Sequence, residues 1–190
     1  MDALYALKTR RSIRRFTQEP VEKEKLAQIM ECARYYPSAA NLQPLKYVLL
    51  TDHEKAGEVL KYLRWAGYLP EFEPTQDELP PVVILILADK SISRAFEFDA
   101  GGAANQIMVA TYALGLSSCC LGMSDKVREN ILAELKLDSE RFHLVCAVGL
   151  GYSTQSSQAV DMENSCKYWL DENENFLVPK RTVDEIFLQV

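Results

Sequence analysis

A run of aliphatic and β-branched residues, Val82 to Leu87, constrains the fold of this 190-residue chain more than any other segment. Strands that are buried on both faces read as continuous apolar runs, so this segment predicts a central strand. The run extends only to Ala88, which is far too short to cross a bilayer. We therefore expect one compact globular unit built around this strand.

Apolar periodicity predicts further helices and strands around the central strand. Helices are predicted over Asp2–Lys8, Val21–Tyr35, Glu54–Leu63 and Asp99–Leu114 and after Ser124, and strands over Tyr47–Leu50, Ser117–Leu121 and Leu144–Leu150, the first and last of these being buried. Pro37 stops the second helix and Gly115 caps the fourth. Thr182 and Glu185 form a capping box that predicts a short terminal helix.

Two segments lack a clear pattern. Residues 65–81 contain four prolines and are predicted to form a loop or lid. Trp65, Tyr68 and Phe72 in this segment either line a substrate channel or pack beneath the lid. The polar segment from Tyr152 to Phe176 is predicted to run over the surface.

Charge and cysteine usage exclude several functional classes. A net charge of −6 argues against nucleic acid or an anionic membrane as a partner. The five cysteines lack CxxC spacing and the two histidines stand alone, so neither a metal site nor a disulfide framework is expected. Cys119 and Cys120 are interpreted as small buried residues. The first residues lack the basic and then apolar order of a secretory signal, so a cytoplasmic protein is expected.

A cluster of arginines follows the first predicted helix. Arg10, Arg11 and Arg14 flank Ser12 in the segment RRSIR. An arginine is always charged and offers a planar fork of donors, so three of them beside a hydroxyl can grip a phosphate dianion. The alternative is a solvated basic face, which is the commonest fate of a run of charges.

The turn sequence PSAANLQP, residues 37–44, follows the second predicted helix. Its residue types suit a helix-terminating Asx turn. They also offer amide and side-chain groups that suit a cofactor with a polar edge. The arginine cluster and this turn lie within 35 residues of each other, and the pair favours a phosphorylated, polar-edged cofactor.

With these two motifs the chain resembles the FMN-dependent nitroreductases, whose members carry an R-R-S-x-R start and a P-S-x-x-N-x-Q-P turn at about these positions. The resemblance covers almost the whole chain, and its further motifs are the small-residue helix from Asp99, Cys119-Cys120-Leu121-Gly122, Gly149-Leu150-Gly151-Tyr152, Lys180-Arg181 and Asp184-Glu185. Their order and spacing make the match specific. The chain departs from the family in its short length and at Cys120, where members often carry a bulkier residue.

The resemblance implies an α+β, nitroreductase-like fold with a central, mostly antiparallel sheet flanked by helices. Residues 1–190 would form a single FMN-binding domain, assembled as an intertwined homodimer. The C-terminal extension, residues 152–190, would join the sheet of the partner. A polar segment of this kind gains stability only against another surface. FMN would lie at the dimer interface, two per dimer.

The resemblance also assigns cofactor contacts. The phosphate and ribityl chain of FMN would be held by Arg10, Ser12 and Arg181, together with Lys180 and Arg11, while Arg14 would lie near the ring or the polyol. The flavin of the other subunit would be contacted by backbone and side-chain groups of Pro37, Ser38, Ala39, Asn41 and Gln43. Leu121 and Gly122 resemble the turn whose backbone amide points at flavin N5. No catalytic side chain and no metal ligand is assigned.

The implied activity is that of an FMN-dependent oxidoreductase. NADH or NADPH would deliver hydride to flavin N5 and leave before a nitroaromatic, a quinone or a related small-molecule acceptor takes the electrons, which gives ping-pong turnover. A site shared on the flavin needs no dinucleotide-binding fold, and no G-x-G-x-x-G follows a predicted strand. Two alternatives stay open: a protein that stores, delivers or senses FMN, and a family scaffold turned to flavin cleavage or reductive dehalogenation.

Overall fold

The computed structural model describes residues 2–188. The predicted domain, residues 1–190, and its C-terminal extension therefore end outside the described part, and residue 1 also lies outside it. The main sheet has four strands, β1 (Leu45–Leu50), β2 (Val82–Asp89), β3 (Ser117–Leu121) and β4 (Phe142–Gly151). Their order is β1-β2-β4-β3, and all neighbouring pairs are antiparallel. The antiparallel sheet implied by the resemblance is confirmed.

β2 is the central strand, as its sequence predicts. All eight of its residues are buried. Successive side chains of a strand point to opposite faces, so the strand feeds two separate apolar clusters. Val83 and Leu85 belong to one cluster, and Ile84 and Ile86 belong to the other. Since both faces are covered, no polar residue interrupts the run.

Helices cover both faces of the main sheet. The described helices are α1 (Ala3–Thr9), α2 (Lys23–Arg34), α3 (His53–Leu60), α4 (Glu97–Ala113), α5 (Asp125–Glu134) and α6 (Val183–Ile186), which confirms the helices predicted from periodicity and the terminal helix predicted from the capping box. α2 and α4 pack on the face of Ile84, and α3 and α5 pack on the face of Leu85. Gly115 follows α4 with φ +79°, and the Thr182–Glu185 capping box is formed. The fold is therefore α+β, as expected.

β1 differs from the buried strand predicted over Tyr47–Leu50. It begins at Leu45, and Leu50 is its one buried residue. The strand lies at the edge of the sheet, where one side pairs with β2 and the other side meets no strand among the described residues. An apolar run indicates which faces of a strand are covered, but not whether both of its edges pair with other strands. The sequence therefore could not distinguish an edge strand from a central one.

The polar segment after Tyr152 runs over the surface, as predicted, and it also forms part of a second sheet. β5 (Ser157–Asp161) pairs in parallel with β7 (Phe176–Lys180), and β6 (Trp169–Leu170) pairs with β7 in antiparallel orientation. Phe176 is fully buried, and the centroid of its ring lies 5.2 Å from that of Phe72 and 5.6 Å from that of Tyr168. A single deeply buried aromatic anchors this sheet, and such an anchor leaves no periodic pattern.

Residues 65–81, all of which are described, contain no regular element beyond one turn of 3-10 helix at Gln76–Glu78. Trp65 and Phe72 are buried, whereas Tyr68 is 47% exposed and stacks against Tyr168 with ring centroids 5.1 Å apart. Within one chain, Trp65 and Phe72 therefore pack beneath the loop.

The end of this loop crosses β4 in close contact. A Cβ added to Gly149 would lie 2.7 Å from Cγ of Pro80, and one added to Gly151 would lie 2.6 Å from Cδ of Pro81. Real Cβ atoms do not approach carbon atoms so closely. A proline ring is rigid and cannot move aside as a flexible side chain would, so a side chain at either position would clash with the loop. The two glycines thus let the two prolines pass directly over the strand.

Across residues 2–188, no helix combines the length and apolar character that crossing a membrane requires.

Candidate functional site

The arginine segment leaves α1 and runs alongside β3. Ser12 forms a parallel bridge with Ser118, and the amide of Ile13 donates to the Ser118 carbonyl at 3.1 Å. This pairing brings the first predicted motif to the strand that ends at Leu121 and Gly122. Two sets of residues that are far apart in sequence therefore meet at one edge of the main sheet.

Arg10 and Arg11 carry positive charge without a counter-charge. Nη1 of Arg10 contacts Sδ of Met108 at 3.8 Å, and the guanidinium of Arg11 donates to the carbonyls of Arg10 and Lys8. No carboxylate of residues 2–188 forms an ion pair with either arginine. Burial, followed by the charge of Arg11, lowers the pKa of Arg10. Two adjacent, partly desolvated cations favour an anionic ligand between or beside them.

The donors at this edge fit a phosphorylated ligand. Within the described part of the chain, the hydroxyl of Ser118 and Nε of Arg11 are buried without a hydrogen-bond partner. Guanidinium and hydroxyl groups are the donors that phosphate oxygens accept most readily. A Cβ on Gly122 would meet no described atom within 4 Å, so the backbone after β3 is open to approach. These residues fit the phosphate of the FMN that the resemblance implies.

Arg14 occupies a different environment from Arg10 and Arg11. Its Nε donates to the carbonyl of Trp65 at 2.6 Å, and its guanidinium carbon lies 4.5 Å from the ring centroid of Phe176 and 5.0 Å from that of Tyr168. The side chain therefore joins the 65–81 loop to the second sheet. A solvated basic face, the alternative for the arginine run, does not describe this residue.

The second motif folds as a strained turn. Ala40, Asn41 and Gln43 all have positive φ, at 50°, 54° and 51°. Such a conformation costs a residue with a Cβ about 1 kcal/mol or more, and it persists only where the surroundings impose it. Oγ of Ser38 accepts from the amide of Gln43 at 2.8 Å, and the amide of Ala39 donates to Asp99 at 3.1 Å. Strain of this kind concentrates at binding sites.

A cavity of about 240 Å³ lies against this turn. It is lined by Ser38 and Gln43 from the turn and by residues of α2, β1 and the segment after α2, among them Tyr36, Lys46 and Tyr47. Burial raises the pKa of Tyr47 to about 12, so its phenol stays neutral. Pockets that enclose a whole ligand measure roughly 300–1,000 Å³. One chain therefore encloses at most part of a ligand at this position.

The arginine cluster and the turn lie at different positions along α4. Arg10 contacts Met108 in the second half of that helix, whereas Ala39 is bonded to Asp99 in its first turn. The two helix positions are nine residues apart, which corresponds to about 13 Å along the axis. The two motifs thus share one helix but do not form one pocket within a chain.

Lys180 and Arg181 lie at the end of β7 and are both exposed. Nη1 of Arg181 is 3.7 Å from Oε1 of Glu185, an exposed pair of little energetic weight. No hydrogen bond or ion pair between described residues joins either side chain to Arg10 or Ser12. Among the described residues, one weak ion pair, that with Glu185, competes with an anion for the guanidinium of Arg181.

The two cysteines of β3 have opposite environments. Cys119 is buried and Cys120 is exposed, so the prediction that both are buried is wrong for Cys120, which lies on the opposite face of an edge strand. Burial raises the pKa of Cys119. The neighbouring thiol of Cys146 is the main cause that lowers the pKa of Cys120, and the charge of Arg10 acts in the same direction. Within residues 2–188, no group of three or more His, Cys, Asp or Glu residues could hold a metal ion.

Sequence reasoning missed Asp99 as a residue of the site. Its side chain is only 3% exposed, although an acid is seldom buried without a partner. The periodicity marked this position merely as the beginning of a helix. An acid in the first turn of an otherwise apolar and small-residue helix was the available indication, and its partner, a single backbone amide, could not be read from sequence.

The sequence of this chain is similar to those of known proteins. A model described as the Nitroreductase family matches residues 7–152. A curated protein of Methanothermobacter thermautotrophicus, named "Putative NADH dehydrogenase/NAD(P)H nitroreductase", is 26% identical over 169 residues, which cover 85% of this chain and 83% of that protein.

Solved structures are similar over the same region. An FMN-dependent nitroreductase from Clostridium difficile R20291 is 30% identical, with a TM-score of 0.71 over 83% of this chain and 91% of the other. A "putative nitroreductase in complex with FMN" from Desulfovibrio desulfuricans has a TM-score of 0.76 over 100% of this chain and 97% of the other. At 24% identity, the latter similarity concerns the fold alone.

Proposed function

Because this chain belongs to the nitroreductase family, we propose that it is an FMN-dependent oxidoreductase that uses NADH or NADPH to reduce nitroaromatics, quinones or a related small acceptor. The observation that carries the proposal is the pair of cations, Arg10 and Arg11, that lie alongside β3 without a counter-charge among the described residues. The name of the Clostridium difficile relative, an FMN-dependent nitroreductase, supports FMN as the anionic ligand.

The residues of the chain have binding and orienting roles in this proposal. Arg10, Arg11 and Ser12 hold the phosphate with charge-assisted hydrogen bonds. The 38–43 turn faces the flavin, and the open backbone at Gly122 offers an amide near N5, where a donor stabilises developing charge. FMN, when bound, supplies hydride transfer between the nicotinamide and the acceptor in ping-pong turnover. No side chain of the chain is required as an acid or a base.

The proposal includes a homodimer, because one chain presents only part of a site. Val183, Ile186, Phe187 and Leu188 in and after α6 are each more than 60% exposed. Exposed apolar side chains grouped in this way mark an interaction surface. The unpaired edge of β1 and the small cavity beside the 38–43 turn also leave room for a second copy. The C-terminal extension of each chain would cover the edge of β1 and the cavity beside the 38–43 turn in its partner.

We expect light scattering to give twice the mass of one chain. Replacing Ile186 and Phe187 together by aspartate should shift the protein to the mass of a monomer, since two buried charges would oppose association. The control is Ile92→Asp, at a half-exposed turn residue outside this segment. A wild-type protein that is monomeric at micromolar concentration would contradict the dimer but would leave the fold unaffected.

The activity is tested by anaerobic titration of the FMN-loaded protein with NADPH and then with NADH, following the visible absorbance of oxidised flavin. We expect rapid bleaching with at least one donor and recovery of the absorbance when a quinone or nitroaromatic is added. Recovery by one acceptor class and not the other would identify the substrate class. Flavin that binds but stays oxidised with both donors would contradict the proposal and favour a protein that stores or senses FMN.

A further inference from the structure

One face of α4 contacts the chain segment that leads into the strained 38–43 turn. Asp99, Gly102 and Gln106 have the spacing i, i+3, i+7, which places them on one side of a helix. All three touch the segment between Cys32 and Ala39. The contacts follow one another along both segments, so α4 lies beneath the entire approach to the turn.

The contact at the start of the segment is a helix cap. Nε2 of Gln106 donates to the carbonyl of Cys32 in the last turn of α2. The Cys32 carbonyl also accepts from the Tyr35 amide at 3.2 Å, so the Gln106 side chain adds a second hydrogen bond at the end of the helix. Gln106 therefore fixes the point at which the chain leaves α2.

The contact in the middle is steric. A Cβ built on Gly102 would overlap the phenol ring and the hydroxyl of Tyr36, whereas one built on Gly101 would meet no described atom within 4 Å. The Tyr36 ring therefore lies directly on the α4 backbone. Tyr36 also lines the cavity beside the turn, so its position shapes the wall of that cavity.

The contact at the turn itself is a buried carboxylate. The amide of Ala39 lies 3.1 Å from Oδ1 and 3.4 Å from Oδ2 of Asp99. A hydrogen bond to a charged group contributes about 1.5–3 kcal/mol, which is comparable to the strain of one or two residues with positive φ. Asp99 thus offsets part of the strain at Ala40, Asn41 and Gln43, next to the amide that it binds.

We propose that Asp99, Gly102 and Gln106 form an α4 clamp that holds the 38–43 turn in its strained conformation, with Asp99 as a positioning residue. The clamp acts through the turn and touches no reacting atom. Its consequence for FMN affinity rests on the proposed function, whereas its effect on the turn does not. A glycine is required at position 102 because any side chain would displace Tyr36.

The test uses amide hydrogen exchange of the segment 36–44 in the full-length protein without FMN, together with the Kd for FMN from quenching of its fluorescence. Asp99→Ala should raise the exchange rate of the Ala39 amide about tenfold or more, because its acceptor is lost. Asp99→Asn keeps an acceptor oxygen and should restore exchange to within about threefold of the wild-type rate. FMN affinity should fall about tenfold in the first variant and recover in the second.

Gly102→Ala and Gly101→Ala are a matched pair on neighbouring residues of the same helix. Both replacements favour the helix by about 0.5–1 kcal/mol, so both should fold. Only Gly102→Ala should accelerate exchange at 36–44 and weaken FMN binding, since only it displaces Tyr36. This pair decides the matter if Asp99→Ala does not fold.

Unchanged exchange in both Asp99→Ala and Gly102→Ala would overturn the clamp, as would equal changes in Gly101→Ala and Gly102→Ala. Failure of Asp99→Asn to restore the wild-type rate would remove Asp99 from its positioning role. A wild-type protein that binds no FMN would contradict the proposed function, while the exchange rates would still decide whether the clamp exists.

Discussion

Replacing Arg10 and Arg181 together by alanine should weaken FMN binding by at least about a hundredfold, because two charge-assisted hydrogen bonds contribute about 1.5–3 kcal/mol each. Among the described residues Arg10 has no counter-charge, and Arg181 has only a long contact of 3.7 Å to Glu185. Arg181 is exposed, whereas Arg10 touches the core at Met108. Flavin retained after gel filtration, and the Kd from fluorescence quenching, measure the effect.

The control removes the same charge from two helices on the Leu85 face of the main sheet. Lys55 and Lys126 are exposed residues of α3 and α5, and their replacement by alanine changes the net charge by the same amount. We expect that variant to bind FMN within about twofold of wild type, since screened surface charges act weakly at this range. FMN binding undiminished in the arginine variant would refute the phosphate assignment, whatever the catalytic activity.

Phe176→Ala should lower the free energy of unfolding by about 3–5 kcal/mol, the usual cost of removing a large aromatic from a close-packed interior. Phe176 is fully buried, and its ring contacts Phe72, Tyr168 and the guanidinium of Arg14. The substitution removes the shared contact of the 65–81 loop and the second sheet. Urea unfolding at one fixed protein concentration measures the change, because an oligomer's stability depends on concentration.

Leu177→Ala is the matched control for this prediction. It truncates the next residue of β7, whose side chain points to the opposite face of the strand and is only partly buried. The expected loss is about 1 kcal/mol, typical of a partly exposed site. Equal losses for the two variants would mean that the second sheet is not anchored by its inner face.

The elements that repeat a local pattern were predictable from sequence. β2 has one apolar residue after another because it is covered on both faces, and the Thr182–Glu185 box satisfies its own backbone donors, so neither depends on a distant residue. Phe176 was not predictable as a core residue, because it is one aromatic in a polar segment and its burial depends on Phe72, more than a hundred positions earlier. The edge position of β1 likewise depends on strand order and leaves no local pattern.

The candidate site divides in the same way. The residue types of the arginine cluster and of the 37–44 turn already indicated a phosphorylated ligand. The pairing of Ser12 with Ser118 and the bond from Ala39 to Asp99 could not be predicted, because each joins segments that only the folded chain brings together. The separate environment of Arg14 follows from the second sheet, which the sequence did not reveal.

Because Pro80 and Pro81 cross over β4, the residues that can stand at positions 80, 81, 149 and 151 depend on one another. A β-carbon at position 149 is compatible with this backbone only where position 80 has lost its pyrrolidine ring, and positions 151 and 81 are linked in the same way. A side chain at position 149 or 151 therefore requires a shift or a replacement of the proline that it would meet. The G-x-G spelling at the end of β4 thus reflects the path of the neighbouring loop.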